Sequence, residues 1–110
     1  MTRHTELLTA AARAEAIRIT GEITQTADYQ LARRFIARAH LAPARKWKTC
    51  SVDRVRAEML AATGATVTLE AMVLALADAN FVARELDGEA STNVKLRSFP
   101  KRGERVDLAP

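Results

Sequence analysis

The amino-acid sequence predicts one mainly α-helical domain with a small β-hairpin. Its 110 residues are the usual length of a single domain and too few for two independent cores. Apolar residues make up 48% of the chain, with many alanines among them, and they recur at helical spacing in four segments. Near the end, an Asp-Gly step and a short alternation of polar and apolar residues indicate the hairpin.

Two helices are predicted in the first half of the chain. The first covers residues 5–20 and ends at Gly21, and we expect it to serve as a dimerisation helix. The second follows Thr26, whose side chain can cap it, and ends before Pro43. Its apolar stripe consists of Leu31, Phe35, Ile36 and Ala39. Three arginines project elsewhere from this helix, namely Arg33, Arg34 and Arg38.

Two further helices are predicted after a loop. Ser51 caps the third helix, and Gly64 ends it in a left-handed conformation. Thr68 caps the fourth. The side chains predicted to face the core are Val52, Val55 and Met59 in the third helix and Leu69, Met72, Val73 and Leu76 in the fourth.

The segment after the fourth helix permits two interpretations. Either the helix continues to a C-cap at Gly88, or residues 81–86 pair with residues 93–98 across the loop "DGEAST". We favour the hairpin because Val94 and Leu96 alternate with Lys95 and Arg97. A lone exposed strand would also leave its backbone groups unpaired.

Residues 51–99 resemble the winged helix-turn-helix domain of transcriptional regulators. "SVDRVRAEML" corresponds to the supporting helix, "AATGATV" to the turn, "TLEAMVLALADAN" to the recognition helix and "FVARELDGEASTNVKLRSF" to the wing. Together with the two preceding helices, the resemblance gives a winged helix-turn-helix-like fold of four helices plus a two-stranded wing. The single domain 1–110 is then expected to comprise an N-terminal helix (1–21), a winged-helix-like core (22–100) and, from its polar composition, a flexible tail (101–110).

Charge is distributed unevenly along the chain, whose net charge is +4. Residues 29–56 hold eight basic residues against Asp53, and residues 91–105 hold five against Glu104. Between these basic segments, residues 68–89 hold five acidic residues against Arg84. Such asymmetry indicates either a surface for a polyanion such as DNA or a set of solvated helix faces.

The candidate nucleic-acid-binding residues follow from this charge pattern and from the resemblance. The residues expected to grip phosphates are Arg33, Arg34, Arg38, Arg45, Lys46, Lys48, Lys95 and Arg97. Trp47 either stacks on a base or is the largest core residue of an alanine-rich protein, which is the commoner role. The predicted recognition helix carries Glu70 and Asp78 and no basic residue, so base contacts by this helix would rest on Thr66 and Thr68.

The sequence offers no support for catalysis, a metal or a cofactor. His4, His40 and Cys50 are not at ligand spacing, and there is no Gly-rich phosphate loop or nucleophile elbow. Cys50 is either a thiol sensor activated by a nearby lysine or a small buried side chain, the commoner case. No signal peptide or spanning segment is recognisable, so we expect a cytoplasmic protein that is not an enzyme.

Two functional hypotheses remain open. The first is a small DNA-binding protein, a repressor or a plasmid or phage accessory factor, acting as a homodimer through its N-terminal helix. The second is a protein-interaction module, such as a phage- or plasmid-encoded inhibitor or adaptor, that uses the acidic fourth helix. Its expected contact surface consists of Ala71, Leu74, Ala75 and Asp78.

Overall fold

The structure of the chain is a computed structural model that describes residues 26–44, 50–86 and 88–110. Its elements in chain order are α1 (Ala27–Arg38), β1 (Cys50–Ser51), α2 (Val52–Thr63), α3 (Leu69–Asp78), β2 (Ala83–Leu86), β3 (Glu89–Thr92) and a 3₁₀ helix (Leu96–Ser98). Helices α1, α2 and α3 correspond to the second, third and fourth helices predicted from the sequence. The predicted first helix, with its expected dimerisation role, lies outside the described residues.

The predicted fold class, a mainly α domain of four helices and a two-stranded wing, is wrong. The described residues form three α-helices and a three-stranded antiparallel sheet in the order β1–β3–β2. The additional strand, β1, has two residues, and it pairs Cys50 with Thr92 and Ser51 with Ser91. Because the partners of β1 lie far along the chain, no local pattern around Cys50 signals this strand.

The ends of the helices follow local capping chemistry, and these predictions are confirmed. The side chains of Thr26, Ser51 and Thr68 each accept a hydrogen bond from the backbone N–H three residues later, at 3.2, 2.9 and 3.2 Å. Gly64 ends α2 in the left-handed region, with φ of 77°. The cap of α3 is also tied to α1, because the Thr68 N–H donates to Asp28 Oδ2 at 2.9 Å.

The hairpin is present, but its predicted second strand is wrong. Strand β2 pairs with β3 in a register that brings Leu86 opposite Glu89, so only residues 87 and 88 separate the strands. An Asp-Gly step favours such a two-residue loop, and the loop fixes the register. The residues "EAST", which we expected in the loop, therefore form the strand.

The residues that alternate after the hairpin lie beyond the sheet strands. Val94 is buried and forms an isolated bridge with Pro43, whose neighbour Ala44 donates its N–H to the Asn93 carbonyl at 2.7 Å. Leu96 begins the 3₁₀ helix and is 58% exposed. The alternation of Val94 with Leu96 therefore reflects one bridged residue and one surface residue, and not a half-buried strand.

One hydrophobic cluster joins the helices to the sheet. α1 and α2 both pack on α3, and β1 and β3 pack on α2. The largest fully buried side chains are Phe35, Met59, Met72, Leu76, Val52, Val55, Val94 and Thr92.

Residues 101–110, predicted as a flexible tail, run back along the helices. Val106 donates its N–H to the Ala62 carbonyl at 3.0 Å. The side chains of Val106 and Leu108 are half-buried against the hydrophobic cluster.

Candidate nucleic-acid interface

The arginines of α1 divide into two kinds. Arg34 and Arg38 are four residues apart, so they lie on one helix face. Their guanidinium groups donate to backbone carbonyls of the C-terminal segment: Arg34 Nη1 to Leu108 at 3.3 Å, and Arg38 Nη1 to Asp107 at 2.8 Å and Ala109 at 2.5 Å. Arg33 is half-buried beside a separate small pocket lined by Ile36 and other residues. Two of the three predicted phosphate ligands on this helix are thus hydrogen-bonded to the C-terminal segment of the chain, although Arg38 is still exposed.

A second group of candidates cannot be placed. Arg45, Lys46, Trp47 and Lys48 lie outside the described residues, and so does the choice between a stacking and a core role for Trp47. Thr66 is exposed in the turn between α2 and α3. Thr68 is also exposed, but its hydroxyl oxygen serves as the cap of α3. Of the two threonines, only Thr66 has no structural role among the described contacts.

Helix α3 is not the open surface that the protein-interaction hypothesis requires. Ala71, Leu74 and Ala75, predicted to be exposed, are 1%, 2% and 0% exposed, so this prediction is wrong. Asp78 accepts a hydrogen bond from the Tyr29 hydroxyl at 2.6 Å. An alanine-rich helix can approach its neighbours closely on several sides, which a single apolar stripe does not reveal. The contact surface proposed for a protein partner is therefore largely inside the molecule.

The hairpin is also not the cationic wing that the sequence suggested. Its described strands carry Arg84, Glu85 and Glu89, and neither Lys95 nor Arg97 lies in them. Both basic residues follow the sheet and are exposed, with Lys95 preceding the 3₁₀ helix and Arg97 inside it. Bringing the hairpin itself against phosphates would place carboxylates next to like charges, which is unfavourable.

Arg97 instead lines a groove of about 810 Å³ between α2 and the segment 96–104. We call it the basic groove. Helix α2 contributes Arg54, Glu58, Ala61 and Ala62, and the opposite wall consists of Leu96, Arg97, Phe99, Pro100, Lys101, Arg102, Gly103 and Glu104. Lys95 adjoins this wall in the chain.

A short helix and a turn determine the positions of the cations on the opposite wall. Phe99 is only 8% exposed and anchors the end of the 3₁₀ helix, while Arg97 on the same short helix is exposed. Glu104 then donates its N–H to the Lys101 carbonyl at 2.9 Å, which closes a four-residue turn. Gly103 has φ of 88° in that turn, a conformation that glycine adopts without steric cost. Lys101 and Arg102 are consequently displayed at the rim of the groove.

Arg54 is held on the α2 side by two contacts. Its Nε lies 3.0 Å from Glu58 Oε1, four residues along the helix, and its guanidinium carbon lies 5.8 Å from the centre of the Phe99 ring. The groove thus holds four cations and two carboxylates, and one of these carboxylates already pairs with Arg54. Within the described residues, no hydrogen bond or ion pair engages the side chains of Arg97, Lys101 and Arg102.

Sequence reasoning missed Arg54, Lys101 and Arg102 as candidates. Lys101 and Arg102 belong to the basic segment 91–105 that the charge pattern revealed, but we had assigned them to a flexible tail. The Gly103 turn was the available local signal. The proximity of Arg54 to this segment depends on tertiary packing and has no signal in the sequence.

The described residues do not assemble a metal site. No group of three or more His, Cys, Asp or Glu side chains among them could hold a metal ion. Cys50 is 7% exposed, and burial raises the pKa of its thiol above the usual value, although the nearby Arg54 charge opposes this shift. A raised pKa leaves less thiolate, so the structure favours the buried role of Cys50 over a thiol sensor.

Comparisons beyond the chain add no further identification. Among the described helices, none has the length and apolar character needed to cross a membrane. Family models, curated proteins and solved structures give no match to this chain.

Proposed function

We propose that the protein binds DNA by its phosphate backbone, using the cations of the basic groove. The observation that carries this proposal is the convergence of Arg54, Arg97, Lys101 and Arg102 on one groove, with Lys95 beside it. Three of these side chains, those of Arg97, Lys101 and Arg102, have no competing partner among the described residues. A concentration of cations of this kind attracts a polyanion and releases its condensed counterions.

The proposed contacts position DNA without reading its sequence. Arginine and lysine donors bind phosphate oxygens, and such contacts set orientation but carry no base information. Helix α3 exposes Glu70 and buries most of its remaining surface, and the hairpin presents Glu89. Helix α3 carries no cation, and in the hairpin strands Arg84 is accompanied by Glu85 and Glu89. We expect an accessory or architectural role on DNA, or a repressor whose specificity lies elsewhere.

The resemblance to winged helix-turn-helix regulators remains part of the proposal. The order of α2, the Gly64 turn, α3 and the hairpin is the order on which the resemblance rests. The contact elements we propose differ from those of that family, because the cations follow the hairpin. A homodimer through residues 1–21 and a cytoplasmic location are likewise proposed, and the dimer would double the number of phosphate contacts.

Salt-dependent DNA binding tests the proposal. The fluorescence anisotropy of a labelled duplex of about 20 base pairs is measured with the full chain over a range of salt concentrations, and the slope of log affinity against log salt counts the phosphate contacts. We expect Arg97→Gln and Lys101→Gln each to reduce that slope by about 0.9 for every protomer bound, since each removes one contact per protomer. A second duplex of unrelated sequence should bind with similar affinity.

Arg33→Gln is the matched control, because it removes the same charge from α1, away from the basic groove. It should leave the slope nearly unchanged. Equal effects of all three substitutions would show that net charge alone attracts DNA, and would contradict the groove as the binding surface. Absence of binding at low salt would refute the proposed function itself.

A further inference from the structure

A second cationic surface lies on α1 beneath the C-terminal segment. Arg34 and Arg38 point their guanidinium groups at three successive backbone carbonyls, those of Asp107, Leu108 and Ala109. The side chain of Arg38 is otherwise exposed, and that of Arg34 is half-buried. Two positive charges on one helix face are therefore met mainly by neutral acceptors.

Residues 106–109 are held in place by local hydrogen bonds and by packing. Ala109 donates its N–H to Asp107 Oδ1 at 2.9 Å, a local bond that turns the carbonyls of both residues toward Arg38. Upstream, Val106 is fixed to α2 by its hydrogen bond to the Ala62 carbonyl. The side chains of Val106 and Leu108 are half-buried against the core cluster. Residues 106–109 are thus held by a few hydrogen bonds and two partly buried side chains, a modest set of interactions.

A phosphate group offers these arginines a stronger acceptor than a carbonyl. A phosphate carries a negative charge that a carbonyl lacks, so it adds Coulombic attraction to the hydrogen bond, and a guanidinium can bind it through two parallel donors. The carbonyl oxygens accept hydrogen bonds from Nη1 of Arg34 and of Arg38 without neutralising the charge of either side chain. The site is therefore already arranged for oxygen ligands and would gain from exchanging neutral ones for anionic ones.

We infer that Arg34 and Arg38 form a second phosphate-binding surface, and that residues 106–109 act as a latch which bound DNA displaces. This inference rests on the proposed function, because DNA held in the basic groove supplies the competing phosphates at high local concentration. Opening the latch adds two phosphate contacts. It makes binding steeper in salt by about 1.8 in the slope of log affinity against log salt.

The closing experiment uses Leu108→Ser in the full chain, a charge-neutral change that weakens the latch without altering attraction between net charges. We expect this variant to bind the labelled duplex several-fold more tightly than the unaltered protein. In a chain that also carries Arg34→Gln and Arg38→Gln, the gain from Leu108→Ser should disappear. The double arginine variant alone should lower the salt slope by about 1.8.

A measurement on the unaltered protein covers the case in which Leu108→Ser impairs folding. Hydrogen exchange of the Val106 amide, which is bonded to Ala62, should accelerate when saturating duplex is added. The Gly64 amide, bonded to the Leu60 carbonyl at 2.8 Å, serves as the internal reference and should not change.

Three results decide the matter. Faster Val106 exchange, with an affinity gain that depends on the arginines, supports the latch. Unchanged Val106 exchange, or an affinity gain equal with and without the arginines, overturns the latch; if Arg97→Gln still weakens binding, the proposed function survives. Failure of the unaltered protein and of every variant to bind duplex overturns both.

Discussion

Thr92 is a fully buried polar residue in a core of apolar side chains. It is 0% exposed, and its hydroxyl has no hydrogen-bond partner among the residues that the structure describes. A buried hydroxyl without a partner loses its bonds to water and gains none in return. Thr92 belongs to the residues "EAST", which we expected in a loop, so the sequence did not indicate that it is buried.

Thr92→Val should therefore stabilise the protein, because valine has the same shape and no hydroxyl to desolvate. We expect the free energy of unfolding in urea to rise by about 1 kcal/mol. Thr63→Val is the matched control, since Thr63 Oγ1 donates to the Met59 carbonyl at 2.7 Å and accepts from the Ala65 N–H at 3.1 Å. That control should lose about 1 kcal/mol. Destabilisation by Thr92→Val would mean that its hydroxyl is satisfied in solution.

At the scale of elements, local chemistry was the reliable guide. The caps at Thr26, Ser51 and Thr68 and the left-handed Gly64 lie where the sequence indicates, because each acts within one turn of its own helix. The sequence correctly predicted a hairpin, but it placed the second strand at residues 93–98, whereas β3 covers Glu89–Thr92. The Asp-Gly step is a stronger signal than the alternation after Asn93, because a two-residue turn specifies where the first strand ends and the second begins.

Gly64 offers a direct test of the link between α2 and α3. Alanine there must adopt a left-handed backbone, and its added Cβ would meet only Arg105 Nη2, at 4.0 Å, so any loss reflects backbone strain and not a clash. We expect Gly64→Ala to lower the free energy of unfolding by about 1 kcal/mol. Gly64→Asn should lose less, because asparagine tolerates this region better. Equal stability of glycine and alanine at this position would contradict the left-handed turn.

At the scale of the whole molecule, the sequence revealed where basic residues are concentrated along the chain, but not which residues lie next to them in the fold. The basic segment 91–105 was evident from composition, yet its approach to Arg54 and the docking of residues 106–109 on α1 are long-range packing events. The same limit applies to α3. Helical spacing revealed Met72 and Leu76 as core residues, but the burial of Leu74 depends on elements that surround the helix from other directions.

This packing redistributes the role of the positive charges. Arg34 and Arg38 on α1, which were predicted to bind DNA phosphates, donate hydrogen bonds to backbone carbonyls of the C-terminal segment. Lys101 and Arg102, which were predicted to lie in a flexible tail, line the basic groove. The predicted recognition helix becomes a structural element of the core. DNA binding, in our account, therefore depends on the walls of a groove formed by α2 and the segment after the sheet.

The most direct test of this central claim is a map of the DNA contact in solution. Backbone amide resonances of the ¹⁵N-labelled full chain are followed by NMR while a duplex is added at low salt. We predict that the largest shifts fall on residues 54–62 and 96–104, which form the two walls of the basic groove, and on residues 106–109, which form the latch. Shifts concentrated on α3 and the hairpin residues 83–92, with the basic groove unaffected, would contradict the account.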